Sequence, residues 1–295
     1  MTNSLKLKDN ILIPGEHKAA KILVDVRYIS NNSKKPLIIF IHGFKGFKDW
    51  GYFNILSEKF SKNEFVFAKF NLSHNGTTPE NPTDFADLEA FSQNNFTIEL
   101  DDIKSVIDYF HSDECEVPTS EIDLNAIYLM GHSRGGGISI LKAAEDERVT
   151  GLATWASIAD IKMRWPQQVL DQWKKDKVFY ITNSRTKQEM PMDYQIVEDF
   201  LAHEERFTIS NAAKKLNIPQ LIVHGTNDET VEHRDALMLH ELNPNSELFL
   251  IEDADHVLGG SHPYNGDDLP EDAQKAFLRT LEFFKAIKNS ELEHN

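Results

Sequence analysis

The chain has 295 residues, about twice the usual length of one domain, so two domains or one large α/β domain would both fit. Hydrophobic residues make up 40% and charged residues 26%, a globular balance that excludes a disordered or collagen-like chain. Asp and Glu number 47 against 31 Lys and Arg, and the net charge of −16 repels phosphate backbones and anionic lipids, so neither nucleic acid nor membrane is expected as a partner.

Residues 1–16 are polar, lack the apolar run of a signal peptide, and are assigned no strand; nowhere do 18 apolar residues run together. A cytoplasmic location is expected. Strands are predicted at 21–28, 37–41, 65–70, 126–130, 151–156, 220–224 and 247–251, with amphipathic helical stretches between them. The runs at 37–41 and 126–130 are almost wholly apolar, as in strands buried on both faces. In 98–111, Leu100, Ile103, Val106, Ile107 and Phe110 fall on one helical face. Strand–helix alternation over the whole chain predicts one α/β domain spanning 1–295, a mostly parallel sheet flanked by helices. The polar residues 290–295 are expected to fray.

The first chemically suggestive element follows strand 37–41, as His42-Gly43-Phe44-Lys45-Gly46-Phe47. A loop in this position can offer a backbone N–H to a developing oxyanion, and Phe44 N–H is the candidate. His42 is read as a brace for that loop. The polar run Asn71-Leu72-Ser73-His74-Asn75-Gly76 is read as a turn shaping the same region. Cys115 is the single cysteine, so no internal disulfide can form, and its acidic neighbours argue against a reactive thiolate.

Strand 126–130 runs into Gly131-His132-Ser133-Arg134-Gly135 and then a helical pattern over 138–145. Strand, Gly-x-Ser-x-Gly and helix in succession form a nucleophile elbow: a strained turn exposes the serine hydroxyl, and side chains at the glycines would strike neighbouring backbone. Ser133 is the candidate nucleophile, and Arg134 N–H the second oxyanion donor, at the positive end of a helix. A glycine-rich turn with a capping serine is the structural alternative.

Residues 160–207 break the rhythm. They hold seven aromatic residues and three of the six methionines (Met163, Met190, Met192), and no buried-strand run. Trp165, Val169 and Trp173 recur at helical spacing around Pro166, which suits a first helical turn. The segment is read as an inserted cap, with Trp165 and Trp173 lining a substrate pocket; the alternative is a helical excursion that packs its own aromatics.

Strand 220–224 leads to Gly225-Thr226-Asn227-Asp228, and strand 247–251 to Glu252-Asp253-Ala254-Asp255-His256. Both acid and histidine leave the C-terminal edge of a strand, where open α/β sheets place their sites. Asp228 is the candidate to orient His256, and His256 the candidate base for Ser133. A helix cap before 231–242 is the other reading of Asp228, with Glu229 next in line as the acid. Asp253 and Asp255 are read as loop-capping groups. No His-x-x-x-His pair sits within a cluster of acids and no phosphate-binding glycine loop occurs, so neither a metal nor another cofactor is expected.

Together, His42-Gly43-Phe44, Gly131-His132-Ser133-Arg134-Gly135, His224-Gly225-Thr226-Asn227-Asp228 and Asp255-His256 resemble the α/β-hydrolase superfamily over roughly 37–288. Within it the chain is most similar to the dienelactone-hydrolase-like and cinnamoyl (feruloyl) esterase branch, in the early loop, the elbow and an inserted segment between the sixth and seventh strands of that fold. The serine at 133 departs from the cysteine of dienelactone hydrolases proper and from the aspartate of haloalkane dehalogenases and most epoxide hydrolases. The resemblance implies a serine carboxylesterase acting on a small-molecule ester of small or medium size, aryl esters included. Acyl transfer and thioester or amide cleavage use the same triad and stay open, as does a non-catalytic ligand-binding module. The oligomeric state, a homodimer included, is left open too.

Overall fold

The computed structural model describes residues 4–17, 21–162 and 165–293. Its elements are β1 (Ser4–Pro14), β2 (Lys21–Ser30), β3 (Lys35–Ile41), α1 (Phe53–Lys62), β4 (Val66–Asn71), α2 (Leu88–Ser92), α3 (Phe96–His111), β5 (Ile122–His132), α4 (Arg134–Glu145) and β6 (Val149–Trp155). There follow α5 (Gln167–Asp176), β7 (Val178–Thr182), β8 (Glu189–Asp193), α6 (Gln195–Ala202), α7 (Glu204–Phe207), α8 (Ile209–Lys215), β9 (Gln220–Gly225), α9 (Arg234–Leu242), β10 (Glu247–Ile251) and α10 (Glu271–Glu293). Eight strands form one sheet in the order β1-β2-β4-β3-β5-β6-β9-β10, in which β2 runs against its neighbours and the other pairings are parallel.

The seven predicted strands are all present. β3 is buried along its whole length, and its residues alternate between two cores. Leu37, Ile39 and Ile41 join the layer of α3, α4, α8 and α9, while Ile38 and Phe40 join that of α1 and α10. α3 starts where Asn95 Oδ1 accepts the Ile98 N–H at 2.9 Å. Among the described residues no helix is long and apolar enough to cross a membrane.

Four expectations change. β1 is an additional edge strand in the stretch assigned none; its exposed Leu7 and Leu12 and its irregular register between Lys8 and Ile11 mask the strand period. α4 begins at Arg134, directly behind Ser133, rather than at 138. α10 continues as helix to Glu293, beyond the expected fraying point at 290. The segment 160–207 is not purely helical, since β7 and β8 pair antiparallel within it.

Two buried features lie beneath the loops that follow β3 and β4. Asp25 and Lys69 are cross-strand partners on β2 and β4, and Lys48 Nζ lies 2.7 Å from Asp25 Oδ2 and 2.6 Å from Asp49 Oδ2. Lys69 pairs with both aspartates. With the Lys48 N–H donating to Asn71 Oδ1 at 2.7 Å, this four-charge set ties the chain after β3 to the sheet.

The second feature is Asp102, fully buried on α3. Its Oδ2 accepts the Ser73 N–H at 2.7 Å, and its Oδ1 has no hydrogen-bond partner among the described residues. Burial pushes this carboxyl up to about 7. The native state therefore keeps a proton that the unfolded chain releases near ~3.9, so the contribution to stability is full below that pH and is lost as pH rises toward the native value. Asp102→Asn should remove this falling component. Between about pH 5 and about pH 8 the thermal midpoint of the parent chain should drop relative to that of the variant, and parallel curves would count against the effect.

Candidate active site

Ser133 sits at φ 57° and ψ −123°, between the last residue of β5 and the first of α4, and its N–H donates to Trp155 O at 2.9 Å. A non-glycine residue in this region is strained, and the flanking glycines explain how the turn closes. A Cβ on Gly131 would lie 2.3 Å from Gly135 O, and one on Gly135 would lie 2.4 Å from Ile41 O. The serine is thereby held out from the sheet at the start of a helix.

The structure brings the three predicted polar residues together. His256 Nε2 lies 3.0 Å from Ser133 Oγ, and His256 Nδ1 lies 2.7 Å from Asp228 Oδ2. Asp228 does not cap α9, whose N-cap position is His233; its Oδ1 accepts the N–H groups of Thr230 (2.9 Å) and Val231 (2.8 Å) while Oδ2 faces the imidazole. The turn it holds precedes α9, which starts only at Arg234. Burial opposes ionisation of Asp228, but hydrogen bonds from His224, His256 and the Val231 N–H outweigh it and keep the carboxyl well below the usual range. Glu229 and Asp253 are exposed, and Asp255 Oδ1 caps its own loop by accepting from Val257 and Gly259.

Two histidines that sequence reasoning did not single out support this arrangement. His224 is fully buried, with Nε2 2.8 Å from Val231 O and 3.2 Å from Asp228 Oδ2. A carbonyl only accepts, so Nε2 carries the proton and the same N–H leans on the Asp228 carboxylate. The signal available in the sequence was its position four residues before Asp228. His132 Nε2 donates to the His256 carbonyl at 2.9 Å, and burial, followed by the neighbouring His256, pushes the His132 imidazole down to about 3. It stays neutral and pins the loop that carries His256.

The loop after β3 packs directly on the elbow. A Cβ on Gly43 would meet Ser133 Cβ at 3.0 Å, so glycine is what lets this loop approach. His42 braces it, as the sequence suggests: Nδ1 bonds Gly43 O at 2.9 Å, and Nε2 accepts the Leu72 N–H at 3.3 Å. Burial pushes His42 down to about 4, which keeps Nε2 free to accept. Asn75, from the polar turn after β4, donates to Gly46 O at 3.2 Å. Arg134 N–H belongs to the first turn of α4, where backbone donors lack intrahelical acceptors. Its side chain does something the sequence did not reveal: the guanidinium lies between the rings of Phe44 (5.1 Å) and Phe96 (4.5 Å), and Nη2 pairs with buried Glu99 at 2.8 Å. The side chains of both candidate oxyanion donors are thus stacked together, and α3 holds them there.

A cavity of about 500 Å³ opens beside Ser133 and His256, lined by Trp165, Val169, Trp173, Phe179, Ile181 and Met192 of residues 160–207 together with Phe44, Phe96 and Arg134. Trp173 is buried, and its Nε1–H donates to Met192 O at 2.8 Å. Trp165 packs edge-on against it at 5.9 Å. Trp165 precedes the helix instead of opening it, because α5 starts at Gln167 behind Pro166. Met163 lies outside the described residues. The aromatics of 160–207 pack on one another, and several of them also line the cavity.

The model of the BD-FAE family matches residues 24–242. An Escherichia coli protein known as an uncharacterized 31.7 kDa protein in the traX-finO intergenic region is 30% identical over 148 residues. That match covers 49% of this chain and 46% of that protein, so the chain spans about half the length of the curated relative it matches. Among solved structures, Est1E from Butyrivibrio proteoclasticus with ferulic acid bound superposes with a TM-score of 0.66 at 20% identity, covering 96% of this chain and 98% of the other. A protein from Klebsiella pneumoniae subsp. pneumoniae named for dienelactone hydrolase superposes with a TM-score of 0.61 at 14% identity, covering 96% and 99%. The fold is the α/β-hydrolase fold.

Proposed function

Since the chain belongs to the BD-FAE family, we propose that it is a serine hydrolase that cleaves carboxylic esters through an acyl-enzyme. The observation that carries this reading is the unbroken chain from Ser133 Oγ through His256 to Asp228, at 3.0 and 2.7 Å. Ser133 Oγ attacks the ester carbonyl while His256 Nε2 takes its proton, and Asp228 holds the imidazole in the tautomer with hydrogen on Nδ1. The carbonyl oxygen becomes an oxyanion, received by the N–H groups of Phe44 and Arg134. His256 returns the proton to the leaving alcohol; water, activated by the same imidazole, then releases the acid.

The apolar, aromatic cavity supports an acyl or alcohol group of medium or aryl size, with the 160–207 segment as its cap. The likeness to a structure that holds ferulic acid supports the aryl choice. The test is a panel of p-nitrophenyl esters of rising chain length beside methyl ferulate, run on the parent chain and on Trp165→Ala. Trp165 is the better probe, because Trp173 is wedged into the segment by its own hydrogen bond. The variant should lose roughly tenfold or more in kcat/KM on the bulky esters and far less on the acetate. Equal losses would make the segment packing alone, and no hydrolysis of any ester would sink the reading.

A further inference from the structure

Two compartments meet at Ser133. The larger is the cavity of about 500 Å³ under the inserted segment. The smaller, about 130 Å³, is lined by Lys45, Gly46, Trp50, Phe53, His132 and Val257 among others. They share Phe44, Ser133 and His256. An ester whose carbonyl carbon sits at Ser133 Oγ has two halves to place, and these are the two spaces beside it.

The charges around these spaces are one-sided. The chain holds 47 acidic residues, yet among the described residues no Asp or Glu lines either compartment. Two cations do. Arg134, in the larger, is already neutralised by Glu99. Lys45, in the smaller, has no carboxylate within 4.0 Å among the described residues. The buried lysines Lys35, Lys48, Lys69 and Lys142 each have one. Lys45 is half-buried; its Nζ donates to a carbonyl, Thr182 O of the β7–β8 hairpin, at 3.4 Å and lies 5.9 Å from the centroid of the Phe44 ring. Burial lowers the pKa of its ammonium, and neither the carbonyl nor the ring brings it a formal counter-charge. It also holds φ at 56°, a conformation seldom adopted by side-chain-bearing residues, in the loop that supplies Phe44.

We propose that Lys45 recognises an anionic group, so that the preferred substrates are esters carrying a carboxylate or similar anion on the half that occupies the smaller compartment. The inference rests on the reading of Ser133 as nucleophile. A substrate anion would supply the missing counter-charge through a charge-assisted hydrogen bond, and no lining carboxylate would repel it. The overall charge of −16 acts at longer range, where salt screens beyond about 8 Å.

Matched esters test this. Meta-carboxyphenyl acetate against meta-carbamoylphenyl acetate puts the charge on the alcohol half; phenyl hydrogen succinate against phenyl succinamate puts it on the acyl half. In one pair the anionic member should have the higher kcat/KM, by about tenfold or more, and that pair identifies which half faces Lys45. Lys45→Gln should bring that ratio close to one, and Lys45→Arg should keep most of it, with thermal midpoints confirming that both variants fold. Turnover by the parent chain without a preference in either pair, or a preference that Lys45→Gln retains, overturns the inference alone. Absence of turnover with all four esters sinks the nucleophile reading and this inference with it.

Discussion

Ser133→Ala should lower ester turnover by roughly 10⁶ while leaving the thermal midpoint within a few degrees of the parent chain. The large loss follows from removing the atom that forms the acyl bond: His256 and the two backbone donors would have no covalent partner to act on. The small change in stability follows from the site's construction. The turn is held by the Ser133 N–H on Trp155 O and by the glycines at 131 and 135, none of which the substitution touches. The hydroxyl contributes one hydrogen bond, to a partly buried imidazole. Initial rates on p-nitrophenyl acetate, with a fluorophosphonate probe as a second measure of the hydroxyl, decide the matter. Retention of more than a few per cent of the activity in a preparation free of other esterases would remove Ser133 from the mechanism.

Asp228→Asn should cost roughly 10⁴ in turnover, and the network dictates why. Oδ1 of Asp228 accepts two backbone N–H groups whose direction is fixed, so an asparagine must keep its oxygen there. Its NH₂ then faces His256 Nδ1, which can only accept from it, and the proton moves to Nε2, where it blocks the base that Ser133 needs. The same NH₂ faces the His224 N–H, which falls back on Val231 O. Glu229→Gln, Asp253→Asn and Asp255→Asn, all exposed, should each cost far less. A larger loss from any of these three would reassign the acid. Because Asp228 is held below the usual carboxylate range, the acid limb of the pH–rate profile should report one ionisation only.

The strands buried on both faces were readable because burial leaves no room for polar residues: 37–41 and 126–130 could be little else. β1 and the β7–β8 hairpin were not, since each exposes one side to water and β8 carries Pro191. The candidate nucleophile, acid and base stood out because each ends a strand and sits in a short pattern of fixed spacing. Glu99 and Phe96 stayed hidden for the opposite reason. Their contacts with Arg134 span 35 and 38 residues of chain, and a buried glutamate beside Leu100 looks in sequence like a solvated one. His224 hid in plain view, as one more residue of an apolar strand.

The place of the 160–207 segment in the topology has a separate consequence. β6 and β9 are adjacent parallel strands, and any such pair needs a crossover of a dozen or so residues. α8 and its flanking turns, which follow the segment, already provide that length. Residues 160–207 therefore exceed the length the connection requires. Ile196, Val197, Phe200 and Phe207 remain tied to the core by packing, so divergence between relatives should accumulate first at the exposed positions of the stretch, while the short runs that follow β3, β5, β9 and β10 stay bound by geometry.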